Sequence, residues 1–307
     1  MSAETNVKKK KKLSNKKKLR IIYLLLALAV VAAIVSATML IIEMVTTQQA
    51  QDYYSSISDN VSRNPRPSVS YTPPESQPTS SPPDTPGTPG GPGNTVDESE
   101  WVPYVDFEEL NAQFQGVTAA WLYLEGTVID YPVMHYRNND YFLRRLPDGT
   151  SHRNGSLYID YRNNTDFTDR NTLIYGHNMR SGDMFGILKE YMKQEFYEQH
   201  PVLYIYTPTR DFALVLFAAY KLDSAVEVPP MQFRDDDDFL RHISNIKRRS
   251  YFRSDVEVTA DDLIVSLCTC EASHVNSRLI VVGKLVDLGP FAPQESTPQG
   301  RPPATVD

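Results

Sequence analysis

Residues 21–42 carry no charged side chain and are almost wholly apolar. As a helix this stretch would be about 33 Å long, enough for a hydrocarbon layer of about 30 Å. Nine of the 31 Lys and Arg residues fall within the first 20 positions, against one of the 38 acidic residues. A basic cluster before an apolar run predicts a single-pass anchor with its N-terminus in the cytoplasm and everything after Ile42 outside. A cleaved secretory signal is the competing reading. Small residues near Ala37 leave a cleavage site open, but a signal has a shorter apolar core, about 7–15 residues. The expected organisation is therefore a basic cytoplasmic tail over 1–20 and a membrane helix over 21–42.

An extracellular linker is expected over 43–100. Its stretch 65–93 holds ten prolines among Ser, Thr and Gly; such a composition cannot bury a core and reads as an extended spacer. The composition turns globular at Trp101 and stays so to about Pro290, enough residues for one core. Residues 101–290 are thus expected to form an autonomous catalytic domain, with a disordered tail over 291–307. Eight strand-like runs separated by turn residues lie there: Ala119–Leu124, Val128–Met134, Ser156–Ile159, Asn171–Tyr175, Val202–Thr207, Asp211–Lys221, Leu263–Cys268 and Arg278–Val286. Asp106–Glu109 has the form of a capping box opening a short helix. Further helices are expected over about Asp183–Gln199 and Asp235–Arg249; the latter has acids at its start and bases at its end, matching the helix dipole. Many short strands with few helices point to a mainly β fold, a closed or nearly closed barrel with accessory helices.

With its basic tail set aside, the body is acidic, which excludes nucleic acid as the main partner. Cys268 and Cys270 are the only cysteines, so no disulfide framework exists. On a regular strand they would share a face, with Cβ atoms about 6–7 Å apart, beyond the roughly 3.5–4.5 Å that a disulfide needs. Two free thiols are expected.

Three segments bring a reactive group to a strand end. Leu263-Ile-Val-Ser-Leu-Cys-Thr-Cys270 delivers a thiol, Thr172-Leu-Ile-Tyr-Gly-His-Asn-Met179 an imidazole after a glycine, and Arg278 opens the last apolar run. Singly, each has a plainer reading: a buried cysteine, a satisfied histidine, a solvated arginine. Together they make a chemical set, since a thiol attacks carbonyls, an imidazole moves protons and a guanidinium stabilises an oxyanion. A zinc site of Cys268, Cys270 and His177 lacks the usual ligand spacing.

These segments resemble the His, Cys and Arg motifs of the class B sortases, in that order. Ser266-Leu-Cys-Thr-Cys270 is similar to the family's Thr-Leu-x-Thr-Cys, with Ser266 in place of the first Thr and Cys268 at the variable position. Thr127–Val133, Asn139–Leu143, Gly155–Asp160 and Met184–Leu188 extend the likeness, which runs from about Asp106 to Val286. The resemblance implies a sortase-like barrel of about eight strands and a membrane-anchored cysteine transpeptidase. It would cleave a Thr–Gly bond in the sorting signal of secreted proteins and pass the acyl group to an amine of peptidoglycan or of a pilin. It further implies Cys270 as nucleophile, His177 as acid–base, Arg278 as oxyanion holder, and Thr269, Glu271, Asn139 and Leu143 along the substrate groove, with no metal or cofactor. The alternatives are a hydrolytic cysteine peptidase and a catalytically silent wall-binding or scaffold domain.

Overall fold

A computed structural model describes residues 15–63, 103–222, 227–270 and 277–289. The Pro-rich stretch and the C-terminal tail lie outside these. Two compact units divide between Gln49 and Ala50.

The first unit is helical. Helix α1, Asn15–Asn60, begins before the expected apolar span and runs on beyond Ile42, crossing into the second unit. The side chains of its apolar stretch, from Ile21 to Ile42, are exposed. It is the one helix among the described residues long and apolar enough to cross a membrane.

The second unit is built on eight strands: β1 (Val117–Tyr123), β2 (Asp130–His135), β3 (Leu157–Ile159), β4 (Asn171–His177), β5 (Val202–Tyr206), β6 (Asp211–Leu222), β7 (Ile264–Cys270) and β8 (Arg278–Gly289). They close into a barrel in the order β1-β2-β3-β4-β7-β8-β6-β5. Closure removes the unpaired edges that an open sheet would present. Most neighbours are antiparallel, but β2–β3 and β4–β7 are parallel. Strand alternation sorts the side chains into two clusters. One draws on all eight strands, for example Leu122, Val133, Leu157, Ile174, Ile205, Leu214, Leu267 and Val281, and fills the barrel. The other lies on the outer faces and includes Trp121, Tyr175, Tyr220, Cys268 and Ile280. It continues into α2 (Phe107–Gln113) through Phe107 and Leu110, and into α4 (Asp236–Arg249) through Phe239, Ile243 and Ile246. A bulge in β6 at Leu216/Ala218 shifts the alternation, so that Phe217 and Ala218 both join the outer cluster.

The helix starts expected at two aspartates are present. Asp106 accepts a hydrogen bond from the Glu109 N–H at 2.8 Å, and Asp235 one from the Asp238 N–H at 2.8 Å. The helix expected over Asp183–Gln199 is instead two pieces, a 3₁₀ segment over Gly186–Met192 and α3 (Gln194–Gln199). Met184 lies at φ 53° and Lys193 is extended, so the chain leaves helical geometry at both points. Met184, Phe185, Leu188 and Tyr191 along this stretch are buried.

Residues 50–63, expected as part of the linker over 43–100, belong to the barrel unit. Tyr54 is buried in the barrel cluster and its hydroxyl donates to the Gly155 carbonyl at 2.6 Å. Gln51 donates to the Asp183 carboxylate at 3.0 and 3.1 Å. Asp130 accepts from Ser58, from Arg63 and from the Trp121 indole. Arg63 also bridges to Val105. Tyrosine and glutamine placed among polar residues leave little trace of burial in a sequence, which is why the boundary expected at residue 101 omits this segment.

Candidate active site

The site forms where β4, β7 and β8 end together. β4 and β7 run parallel with Tyr175 beside Cys268, Gly176 beside Thr269 and His177 beside Cys270. The two residues expected to react therefore hold adjacent places on one ladder. β8 runs antiparallel to β7, and its register pairs Cys268 with Ile280. The backbone ladder stops there and a side chain carries the pairing one step further. The Thr269 hydroxyl donates to the Leu279 carbonyl at 3.2 Å and accepts from the Leu279 N–H at 3.1 Å. Arg278 opens β8 one residue before Leu279.

His177 is partly buried. Its Nε2 lies 2.6 Å from the Leu143 carbonyl. A carbonyl only accepts, so Nε2 carries the proton and Nδ1 of the neutral ring is left as the basic nitrogen. Burial pushes the imidazole below its ordinary pKa; the Leu143 hydrogen bond opposes this, and Arg144 and Arg153 add to it. The His177 carbonyl accepts from the Phe185 N–H at 3.0 Å, which fixes the backbone behind the ring. Gly176, just before the histidine, does not have a positive φ. What calls for glycine is space: a Cβ there would come within 2.4 Å of Leu157 and 2.7 Å of Phe185, both buried side chains.

Arg278 is half-buried, pairs with Leu222 of β6, and holds its guanidinium carbon 5.9 Å from the centre of the Tyr175 ring. This is within cation–π range. The other expected groove residues divide. Leu143 reaches the site through its carbonyl on His177. Asn139 donates to the Asp160 carboxylate at 3.0 Å and accepts from the Tyr161 N–H at 2.9 Å. The Thr269 hydroxyl is buried and turned toward Leu279. Glu271 lies outside the described residues. Ser266, where the motif has Thr, donates to the Asn171 side chain of β4 at 3.0 Å and so helps bind the two ladder partners. The Cys268 thiol is buried in the outer cluster.

Two residues at the site were not singled out from the sequence, Tyr175 and Asp160. The only trace they leave is an aspartate closing a short apolar run and a tyrosine on the strand face that carries His177.

The family model described as "Sortase domain" matches residues 122–286. The chain belongs to the sortase family. Among curated relatives, Sortase B of Listeria monocytogenes is 34% identical over 183 residues, 59% of this chain and 73% of that protein. Sortase B of Staphylococcus aureus is 32% identical over 185 residues, 60% of this chain and 74% of that protein. Among solved structures, a Staphylococcus aureus sortase B–substrate complex superposes with a TM-score of 0.57 at 32% identity, covering 60% of this chain and 85% of that one. A Bacillus anthracis protein similar to sortase B gives 0.53 at 34% identity, covering 59% and 81%. The chain is thus a class B sortase, a cysteine transpeptidase on an eight-stranded barrel, and the sortases act on sorting-signal substrates with an amine as acceptor.

Proposed function

We propose that this sortase cleaves the Thr–Gly bond of a sorting signal with Cys270, His177 and Arg278, and joins the acyl product to an amine of peptidoglycan or of a pilin subunit. The observation that carries the reading is the parallel register setting His177 beside Cys270, with Arg278 at the head of the next strand. His177 Nδ1 takes the Cys270 thiol proton, the thiolate attacks the threonine carbonyl, and the oxyanion of the tetrahedral intermediate is held by Arg278. The C–N bond then breaks. The departing glycine nitrogen takes a proton from His177, leaving a thioester on Cys270. The incoming amine gives a proton back to His177 as it attacks the thioester; the C–S bond breaks and the new amide leaves. Proton exchange runs through Nδ1, since Nε2 is occupied by Leu143. Asn139, Leu143, Thr269 and Glu271 complete the proposed groove, Thr269 by holding β7 to β8.

The same reading makes residues 21–42 a signal anchor with the first 20 residues in the cytoplasm and the barrel outside. Its support is the exposed apolar stretch of α1 and the basic cluster before it. The catalytic unit is residues 101–290 together with the segment 50–63 that packs on it.

The test is a library of pentapeptide signals containing Thr–Gly, incubated with the purified chain and hydroxylamine and read by mass. A hydroxamate product and an enzyme–peptide adduct lost in Cys270→Ala support the reading. Free acid alone in the presence of the amine would make the chain a peptidase, and an adduct that survives Cys270→Ala but vanishes in Cys268→Ser would reassign the nucleophile.

A further inference from the structure

Asp160 follows β3, and its carboxylate is completely buried. It accepts from the Arg162 Nε at 2.8 Å and Nη2 at 2.9 Å, from the Asn139 Nδ2 at 3.0 Å and from the Tyr175 hydroxyl at 3.0 Å. The Arg162 backbone N–H adds a fifth bond at 3.1 Å. A buried carboxylate is costly unless it is paired and fully hydrogen-bonded, and this one is both. Burial alone would raise its pKa, yet the bonds from Arg162, Asn139 and Tyr175 outweigh it and bring the group to about 2, so the carboxylate is charged at every working pH.

What Asp160 grips is not spread over the fold. Tyr175 stands beside Cys268 on the ladder and two residues before His177. Its ring underlies the Arg278 guanidinium. A phenol that donates to a carboxylate gains electron density over its ring, which strengthens its attraction for a cation. Asn139 leads into the 3₁₀ turn Phe142–Arg144, whose Leu143 carbonyl holds His177. One carboxylate thus ties down the residue beneath the arginine and the approach to the segment that orients the imidazole.

We propose that Asp160 is a positioning residue for the transfer reaction, acting through the Tyr175 hydroxyl to set Arg278 where the oxyanion forms. This rests on the role of Arg278 proposed above. An interaction made only as the oxyanion develops changes kcat and leaves KM alone. The experiment uses the full chain in detergent, the Thr–Gly peptide that it cleaves fastest and hydroxylamine as acceptor. Tyr175→Phe removes one hydroxyl and keeps the ring. It is expected to lower kcat on the order of tenfold with KM unchanged and the melting temperature held. Asp160→Asn should lower kcat at least as far, and the double variant no further than Asp160→Asn alone. Wild-type kcat in Tyr175→Phe, or fully additive losses in the double variant, would overturn the proposal. Arg278→Ala separates the two layers. If it is inactive while Tyr175→Phe is unimpaired, only the positioning role falls; if it turns over normally, the reading of Arg278 falls and the proposal with it.

Discussion

Gly176 shows how little freedom the site leaves at single residues. Its missing side chain is the gap into which Leu157 and Phe185 fit, both fully buried. Gly176→Ala overpacks this point, at a cost of about 1–3 kcal/mol. The expected result is a melting temperature several degrees lower and a fall in kcat, as His177 next to it shifts; calorimetry and initial rates check both. Asp211 is the opposite case, a charge the fold does not want. It is buried, its Oδ1 has no partner, and burial raises its pKa to about 7. Because the folded pKa exceeds the unfolded value near 4, its contribution is full below about pH 4 and is lost as pH rises through about 7. His135, His177 and His242 act in the other sense. Burial lowers each pKa, so their contribution is full above about 6.5 and is lost as pH falls toward the depressed values. Asp211→Asn should therefore gain in melting temperature over the wild type by several degrees more at pH 8 than at pH 5. A gain independent of pH would show that the carboxyl stays in one charge state throughout.

At the scale of elements, the strands could be read and their partners could not. Alternating or continuous apolar runs bounded by turn residues mark all eight, because a barrel strand must bury its inner face. Nothing in a run says which neighbour it takes, and the meeting of β4 with β7 depends on that pairing. The segment 50–63 was hidden for a different reason: its stripe of Ala50, Tyr54, Ile57 and Val61, buried or half-buried, is short and set among polar residues, and its other ties to the barrel are single polar groups. Those ties reach the two loops around the histidine. Gln51 holds Asp183 in the loop after His177, while Tyr54 holds the Gly155 carbonyl beside the turn that carries Leu143. A chain beginning at Ala50 should melt as the full barrel does, whereas one beginning at residue 64 should melt well below it and turn over more slowly. Tyr54→Phe, which strands a buried carbonyl, should cost about 1–3 kcal/mol by denaturant titration. Equal stability of the two truncated chains would reduce the segment to a passive tether.

For the whole molecule, two stretches of sequence with opposite requirements share one chain. The apolar run of α1 is exposed, whereas most of the barrel's large hydrophobics are buried. The long apolar helix was legible because it depends only on length and composition, and the strands that carry His177, Cys270 and Arg278 because their motifs are local. Asp160 was not, since a lone aspartate after a short run looks like any turn residue until the fold gathers Asn139, Arg162 and Tyr175 around it. Protease added to intact cells should release the barrel and spare the N-terminal lysine cluster; digestion of that cluster with the barrel protected would invert the orientation.

The parallel union of β4 and β7 also fixes when the two residues proposed to react can meet. β5, β6 and α4 lie between them in the chain, so His177 is synthesised long before Cys270. Contacts between such distant segments close late in folding, after the loop between them has given up its entropy. His177 and Cys270 become neighbours only when β4 and β7 meet, so the ladder that joins these strands also brings together the two residues proposed to react.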